Sequence, residues 1–461
     1  VINSKYDVVV IGAGPAGVNA ATQLARSGMS VLVISEYIGG GYCYSGSIVS
    51  NTALYLSYLY NKFKTRTANF IDVSDKLINA PFDFKKSRKY VENISSKIVK
   101  AFAEQLEEAG ADFFKGKASF SKKDEVEIFN PETEKNEMVT FSKCIIATGS
   151  YNPPLEIPST QKFLYTNNIF NLQNVPASVA IIGGGFVGCE YATFFKRLGC
   201  EVCILEKSER ILSGFDYQIT RRLEDTFKKN GICVRKNANI VNVEKVGNKS
   251  IIFMDDDDNM EAEEVFVSIG RKPAIKNLRL EKAGVETNLD GAVIDNCFRT
   301  TNKNIYIVGD ATGKNMLVNW AYKSSTFVVN NILGNQKKFK GESLPKVLYI
   351  DPEISSVGYT EKQARELGFS PLTVKYTYTN LEKSLIIGFN KGLVKVVYDK
   401  ETKKILGAHI FGKGASELIT AFTLLIQSGI KIDNISEYIF NHPTFAEVLN
   451  ELGNKVKSKS K

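Results

Sequence analysis

The sequence predicts an α/β protein made of two similar strand–turn–helix units followed by a C-terminal α+β domain. A glycine-rich turn between an apolar strand and a helix-like stretch occurs at Gly12–Gly17, the same arrangement recurs at Gly183–Gly188, and from about Leu344 the chain changes to alternating strands. One such turn is weak evidence, because many turns match the pattern by chance. Two in the same strand–helix frame are hard to obtain accidentally.

The chain has 461 residues, enough for roughly three domains of ordinary size. With 43% hydrophobic and 24% charged residues, it has the balance of a globular protein rather than a fibrous or linker-rich one. Val1–Asp7 leads straight into an apolar strand, so no secretory signal is expected. No run of about 18 apolar residues predicts a membrane span, and the expected location is cytoplasmic. Seven cysteines are scattered without the dense, even spacing of a disulfide-stapled domain. Cys200-x-x-Cys203 has redox or metal spacing, but Cys203 falls in the apolar run Val202–Leu205, whose successive residues point to opposite faces. No metal site is expected there. The formal charge of +9 owes much to the tail Lys455–Lys461. That tail has no interleaved aromatic residues for base stacking, so it reads as a solvated terminus and predicts no nucleic-acid partner.

In the first unit, Tyr6–Ile11 reads as a buried strand, Gly12-Ala13-Gly14-Pro15-Ala16-Gly17 as the turn and Val18–Ser27 as the helix. Gly12 permits the tight turn, Gly14 lets backbone approach a pyrophosphate, and Gly17 lets the helix pack on the strand. Pyrophosphate oxygens then meet exposed N–H groups at the positive end of the helix dipole. The next strand, Val31–Ile34, ends at Ser35-Glu36. Strict spacing falls on Ser35, and Glu36 is the carboxylate expected to take the ribose hydroxyls.

The second unit repeats the design. Val179–Ile182 precedes Gly183-Gly184-Gly185-Phe186-Val187-Gly188 and a helix to about Leu198, and the strand Glu201–Leu205 ends at Glu206. A carboxylate there accepts from both ribose hydroxyls and repels a 2′-phosphate, so NAD is favoured over NADP. Lys207 and Arg210 lie near enough in sequence to soften that preference.

Further words follow in order: Cys144–Ser150, containing Thr148, Gly149 and Ser150; Val267–Pro273, containing Gly270 and Arg271; and Ile305–Ala311, containing Gly309 and Asp310. An apolar run ending in Gly-Asp places a carboxylate at a strand's C-terminal end, where open α/β sheets bind ligands. With these words in place, the sequence resembles the pyridine nucleotide-disulfide oxidoreductases over essentially its full length, most closely the dihydrolipoamide dehydrogenase and soluble transhydrogenase branches.

The resemblance implies two Rossmann-like domains, an FAD-binding one over 1–150 and 275–340 and an NAD-binding one over 151–274, with an interface domain over 341–461 and a homodimer. It implies FAD as cofactor, with Asp310 accepting a hydrogen bond from the ribityl chain and Met316, Leu317 and Ala321 beside the flavin. Gly41, Tyr42, Ser47 and Asn51 are placed on the same side. The word Asn441–Glu447 matches the family's acid-base word, in which His442 faces the partner subunit's flavin site and Glu447 orients it. Histidine titrates near neutrality, and a carboxylate fixes its tautomer.

The pattern breaks at Gly39–Asn51. Family disulfide reductases carry two cysteines separated by four residues, and alignment on Gly46 and Ile48 puts Tyr42 and Ser47 at those positions. Cys43 is one residue out of register, so on a helix its sulfur points roughly 100° away from the expected direction. The family lysine that pairs with a glutamate corresponding to Glu190 is here Asn51, a neutral amide. Thiol exchange needs an attacking thiolate and a neighbouring sulfur, and Ser47 supplies none.

The leading expectation is therefore an FAD-dependent NADH oxidoreductase whose small-molecule electron acceptor is not a disulfide. The alternatives are a disulfide reductase in which Cys43 works with a distant thiol such as Cys189, and a non-catalytic FAD-binding partner protein.

Overall fold

The computed structural model describes residues 2–64, 78–131, 133–256, 258–335 and 343–459. The expected 340/341 domain boundary and the last two residues of the lysine-rich tail lie outside the described residues.

Lys5–Ile11 forms the central strand of the first unit. It pairs in parallel with Val31–Ser35, Val8 beside Val31, and on its other side with the end of Lys135–Ile146, Val9 beside Cys144. Val8–Ile11 are all buried. Parallel strands covered on both faces read as continuous apolar runs, which is why this one was legible. Ile305–Ile307 returns from far along the chain to pair with Cys144–Ile146. The first helix spans Pro15–Arg26 and so begins before the expected Val18. Proline lacks an N–H, and the first helical position needs none, so the turn runs directly into the helix.

The second unit is a parallel sheet in the order Ile232–Lys236, Glu201–Glu206, Ser178–Ile182, Glu264–Val267, with the helix Phe186–Leu198 after its glycine turn. The chain leaves the first unit at Ser150–Tyr151 and returns at Lys272–Pro273, and these two crossings pair antiparallel with each other.

The C-terminal part is an antiparallel sheet in the order Lys346–Leu348, Ile354–Gly358, Ile405–Phe411, Leu393–Asp399, Pro371–Thr377. The alternation expected from about Leu344 on does not correspond to a wet face around Lys395, because every residue of Leu393–Asp399 and of Ile405–Phe411 is buried. Val394, Val396, Ala408 and Ile410 pack under the helices Ala415–Gln427 and Glu447–Lys459. On the other face, Leu393 and Phe411 join the core of the second unit. There the Lys395 ammonium sits 2.8 Å from Asp216 Oδ2, both side chains about 5% exposed. Asp216 also caps the helix Tyr217–Lys229 through the Gln218 N–H, so one buried ion pair ties the C-terminal sheet to the second unit.

Candidate active site: one cavity across two glycine turns

Both glycine turns open onto a single cavity of about 2160 Å³, beyond the roughly 300–1,000 Å³ of a pocket for one small ligand. Each turn is closed on one side. A Cβ on Gly17 would strike the Gly12 carbonyl, and one on Gly188 would strike the Gly183 carbonyl. On the other side, a Cβ on Gly14 or Gly185 would meet nothing within 4 Å. Close packing behind and open space in front let helix N-termini reach a pyrophosphate. Thr148 Oγ1 is buried on the cavity wall with no hydrogen-bond partner among the described residues, a state that costs roughly 1–3 kcal/mol and that a polar ligand atom would relieve. The residues present thus fit the two dinucleotides that the resemblance implies.

Of the residues expected at the site, all but Gly17, Gly188, Cys43, His442 and Glu447 line this cavity. The two glycines sit at the close packings just described. Around the first turn, the Glu36 carboxylate is half exposed and lies 3.2 Å from Lys117 Nζ, while Ser35 Oγ donates to the Tyr37 carbonyl. Glu36 therefore has the acceptor oxygens for a ribose. Glu206 is bound more tightly: Oε2 accepts the Gly184 N–H at 2.6 Å and Oε1 the Ser208 N–H at 2.7 Å, tying the second turn to the end of its strand. The expected softening by Arg210 is corrected. Its guanidinium donates to the Ser213 and Phe215 carbonyls and lies over the Tyr217 ring, whereas Lys207 does line the cavity.

Where the two crossings meet, Arg271 Nε donates to Ser150 Oγ at 2.7 Å and Ser150 Oγ donates to Asp310 Oδ2 at 2.6 Å. Burial pushes the Asp310 carboxyl up, and the Ser150 hydrogen bond and Arg271 charge oppose that shift. Glu190, on the helix Phe186–Leu198, is buried with Oε1 accepting the Tyr349 N–H at 3.2 Å. Burial pushes its carboxyl up to about 7, and among the described residues no cation offsets it. Asn51, on the same cavity, is uncharged.

The helices Gly40–Tyr44 and Ser47–Lys64 are separated by Ser45-Gly46. Tyr42 and Ser47 line the cavity on either side of that break. Cys43, expected among the catalytic residues, is instead turned into the protein: it is 1% exposed, its sulfur lies beside Gly39, where Val99 also packs, and burial pushes its thiol up to about 11. Such a thiol is protonated near neutrality and is a poor nucleophile. Its proposed partner, Cys189, is buried on another helix and donates to the Gly184 carbonyl at 3.5 Å, and all seven cysteines are free.

His442 and Glu447 lie away from the cavity of their own chain. His442 Nδ1 is 2.7 Å from Glu447 Oε1, and Glu447 Oε2 accepts the Thr444 N–H at 2.9 Å. The hydrogen bond and charge of Glu447, with Glu382 adding to them, push the imidazole up. Lys117, Tyr349 and Glu382 were not foreseen, because each meets its partner across a large sequence separation and carries no local motif.

This architecture is that of a two-dinucleotide oxidoreductase. The model of the pyridine nucleotide-disulphide oxidoreductases matches residues 6–325, and that of their dimerisation domain matches residues 344–452. The chain belongs to this family, whose members are FAD-dependent oxidoreductases with NAD(P) as the nucleotide substrate. The dihydrolipoyl dehydrogenase of Bacillus subtilis is 30% identical over 97% of this chain and 95% of its own length. Dihydrolipoyl dehydrogenase 3 of Haloarcula marismortui is 28% identical over 100% of this chain and 98% of its own. Among solved structures, the HOCl-induced flavoprotein disulfide reductase RclA from Escherichia coli superposes with a TM-score of 0.86 at 24% identity, covering 98% of this chain and 100% of that one. LpdA from Mycobacterium tuberculosis gives 0.88 at 20% identity over 98% and 100%. Both show the same fold. Among the described residues, no helix is long and apolar enough to cross a membrane, and no group of three or more His, Cys, Asp or Glu could hold a metal ion.

Proposed function

We propose that this chain takes a hydride from NADH and passes it to a small-molecule acceptor that is not a disulfide, in the manner of a diaphorase or transhydrogenase. The observation that carries this reading is the break between Gly40–Tyr44 and Ser47–Lys64, where Tyr42 and Ser47 face the cavity while Cys43 is turned away with its thiol pushed up to about 11. FAD, when bound, supplies the ring that accepts a hydride from the nicotinamide and gives it up again.

The protein's own groups hold and orient the reactants. In this reading the Gly12–Gly17 turn, Glu36, Ser150 and Asp310 hold FAD over 1–150 and 275–340, and the Gly183–Gly188 turn and Glu206 hold NADH over 151–274. Residues 341–461 form the homodimer interface and bring His442 to the partner's cavity. Glu206 favours NADH, since a 2′-phosphate would meet its carboxylate and Arg210 is engaged elsewhere. Another nicotinamide nucleotide, a quinone, dioxygen or a metal ion are the acceptor classes consistent with a site lacking a dithiol.

Anaerobic addition of NADH should bleach the flavin absorbance without a long-wavelength thiolate charge-transfer band, in both wild type and Cys43→Ser. A clear band abolished by Cys43→Ser would overturn the proposal.

The names of the dihydrolipoyl dehydrogenase relatives favour a second reading, disulfide reduction. It requires Cys43 to leave its buried position and meet another thiol.

A further inference from the structure

The imidazole of His442 carries a second carboxylate besides that of Glu447. Glu382 opens the short helix Glu382–Ile386 and places Oε2 2.9 Å from His442 Nε2, while Glu447 Oε1 lies 2.7 Å from Nδ1. A neutral imidazole has one N–H and one bare nitrogen, so it can donate to only one carboxylate. Two ionised carboxylates are both satisfied only when both nitrogens carry hydrogen.

We propose that Glu382 is a positioning residue for His442, closing a carboxylate–imidazolium–carboxylate clamp that keeps the ring charged and directs its Nε2 hydrogen along the Glu382 contact. The inference rests on the reading that His442 serves the acceptor. The charged groups acting on the ring are Glu447, from the start of the terminal helix, and Glu382, from the short helix. Both favour the protonated form, and among the described residues no cation acts against them.

A ring held this way gives a proton rather than taking one. NADH leaves as NAD⁺ after supplying two electrons and one proton as hydride. When an acceptor oxygen takes the place of Glu382 Oε2 at Nε2, the N–H bond there breaks to supply the second proton, and a quinone acceptor leaves as its hydroquinone. The neutral ring then regains its proton from water. Thiol substrates would need the ring as a base, the role the clamp opposes.

The chain has only two histidines. His409 is buried and pushed down to about 4, so NMR titration of imidazole Cε1–H signals in the full chain reads His442 alone above about pH 5. Glu382→Gln should move the His442 midpoint to lower pH, Glu447→Gln should move it in the same direction, and Glu382→Asp should restore part of the wild-type value. A midpoint unmoved by Glu382→Gln but moved by Glu447→Gln overturns the clamp. Steady-state NADH oxidation with 1,4-benzoquinone as the probe should show the alkaline limb of the kcat profile shifting with the NMR midpoint. A moved midpoint with an unmoved limb overturns the proton-donor role. Absence of NADH oxidation in wild type would instead refute the functional reading, with the NMR result still deciding whether the clamp exists.

Discussion

Glu190 lies buried on the helix Phe186–Leu198 with one oxygen on the Tyr349 N–H, whereas His442 stands exposed with a carboxylate at each ring nitrogen. Each holds its proton more tightly than it would in water. For Glu190 the cause is desolvation, which penalises the charged form and so favours the neutral one. For His442 it is attraction to Glu447 and Glu382, which favours the charged form. Two upward shifts thus favour opposite charge states, the uncharged carboxyl at the cavity wall and the cationic imidazole in the C-terminal domain. A third site supplies the reference case. Asp216 is as buried as Glu190 but has Lys395 at 2.8 Å; burial pushes its carboxyl up, and the Lys395 hydrogen bond and charge, the His409 interaction and the Gln218 N–H together outweigh it and hold it below the usual carboxylate range.

The largest expected effect comes from removing the compensated charge. Asp216→Asn leaves buried Lys395 with only the more distant Glu361 carboxylate at 3.7 Å and should destabilise the fold by up to roughly 3–5 kcal/mol, read as a lower denaturant midpoint at unchanged slope. Because the Asp216 carboxyl is held low, its contribution is present at neutral pH and is lost as pH falls through its folded value. A loss under about 1 kcal/mol would mean that the pair is solvated rather than buried.

Glu190 should behave in the opposite sense. Its folded-state value of about 7 lies above the ordinary 4.5, so the folded protein keeps a proton that the unfolded chain has lost. Stability should therefore fall as pH rises through that window, by about 3 kcal/mol from this group alone. Glu190→Gln keeps an oxygen for the Tyr349 N–H and should be the more stable protein above pH 7, with the difference disappearing in acid. Denaturant midpoints against pH for the two proteins check this, and parallel curves would mean that Glu190 is charged and paired after all.

The smallest effect separates the two mechanisms. Raising salt to about 1 M shortens the Debye length to roughly 3 Å. The His442 midpoint should move back towards that of free histidine, while the Glu190 midpoint should stay, since burial is not screened. Equal salt responses would erase the contrast.

Much of this molecule was legible locally. The two glycine turns, the buried strand Val8–Ile11, the acids Glu36 and Glu206, and the word around Asp310 were all read from short stretches, and nearly all of them line one cavity. The readings that changed depended on neighbours. Arg210 looked available until Ser213, Phe215 and Tyr217 occupied it. The alternation around Lys395 suggested nothing of a strand buried on both faces.

Sequence by itself determined the repeated units, the two glycine turns and the absence of cysteine at Tyr42 and Ser47, because hydrophobic period and backbone turn chemistry act over a few residues. Only the tertiary structure decided that Cys43 faces inward, that Glu190 has no cation among the described residues and that Glu382 reaches His442. Burial and ion pairing depend on what distant segments place around a side chain, and that environment sets the charge each group carries.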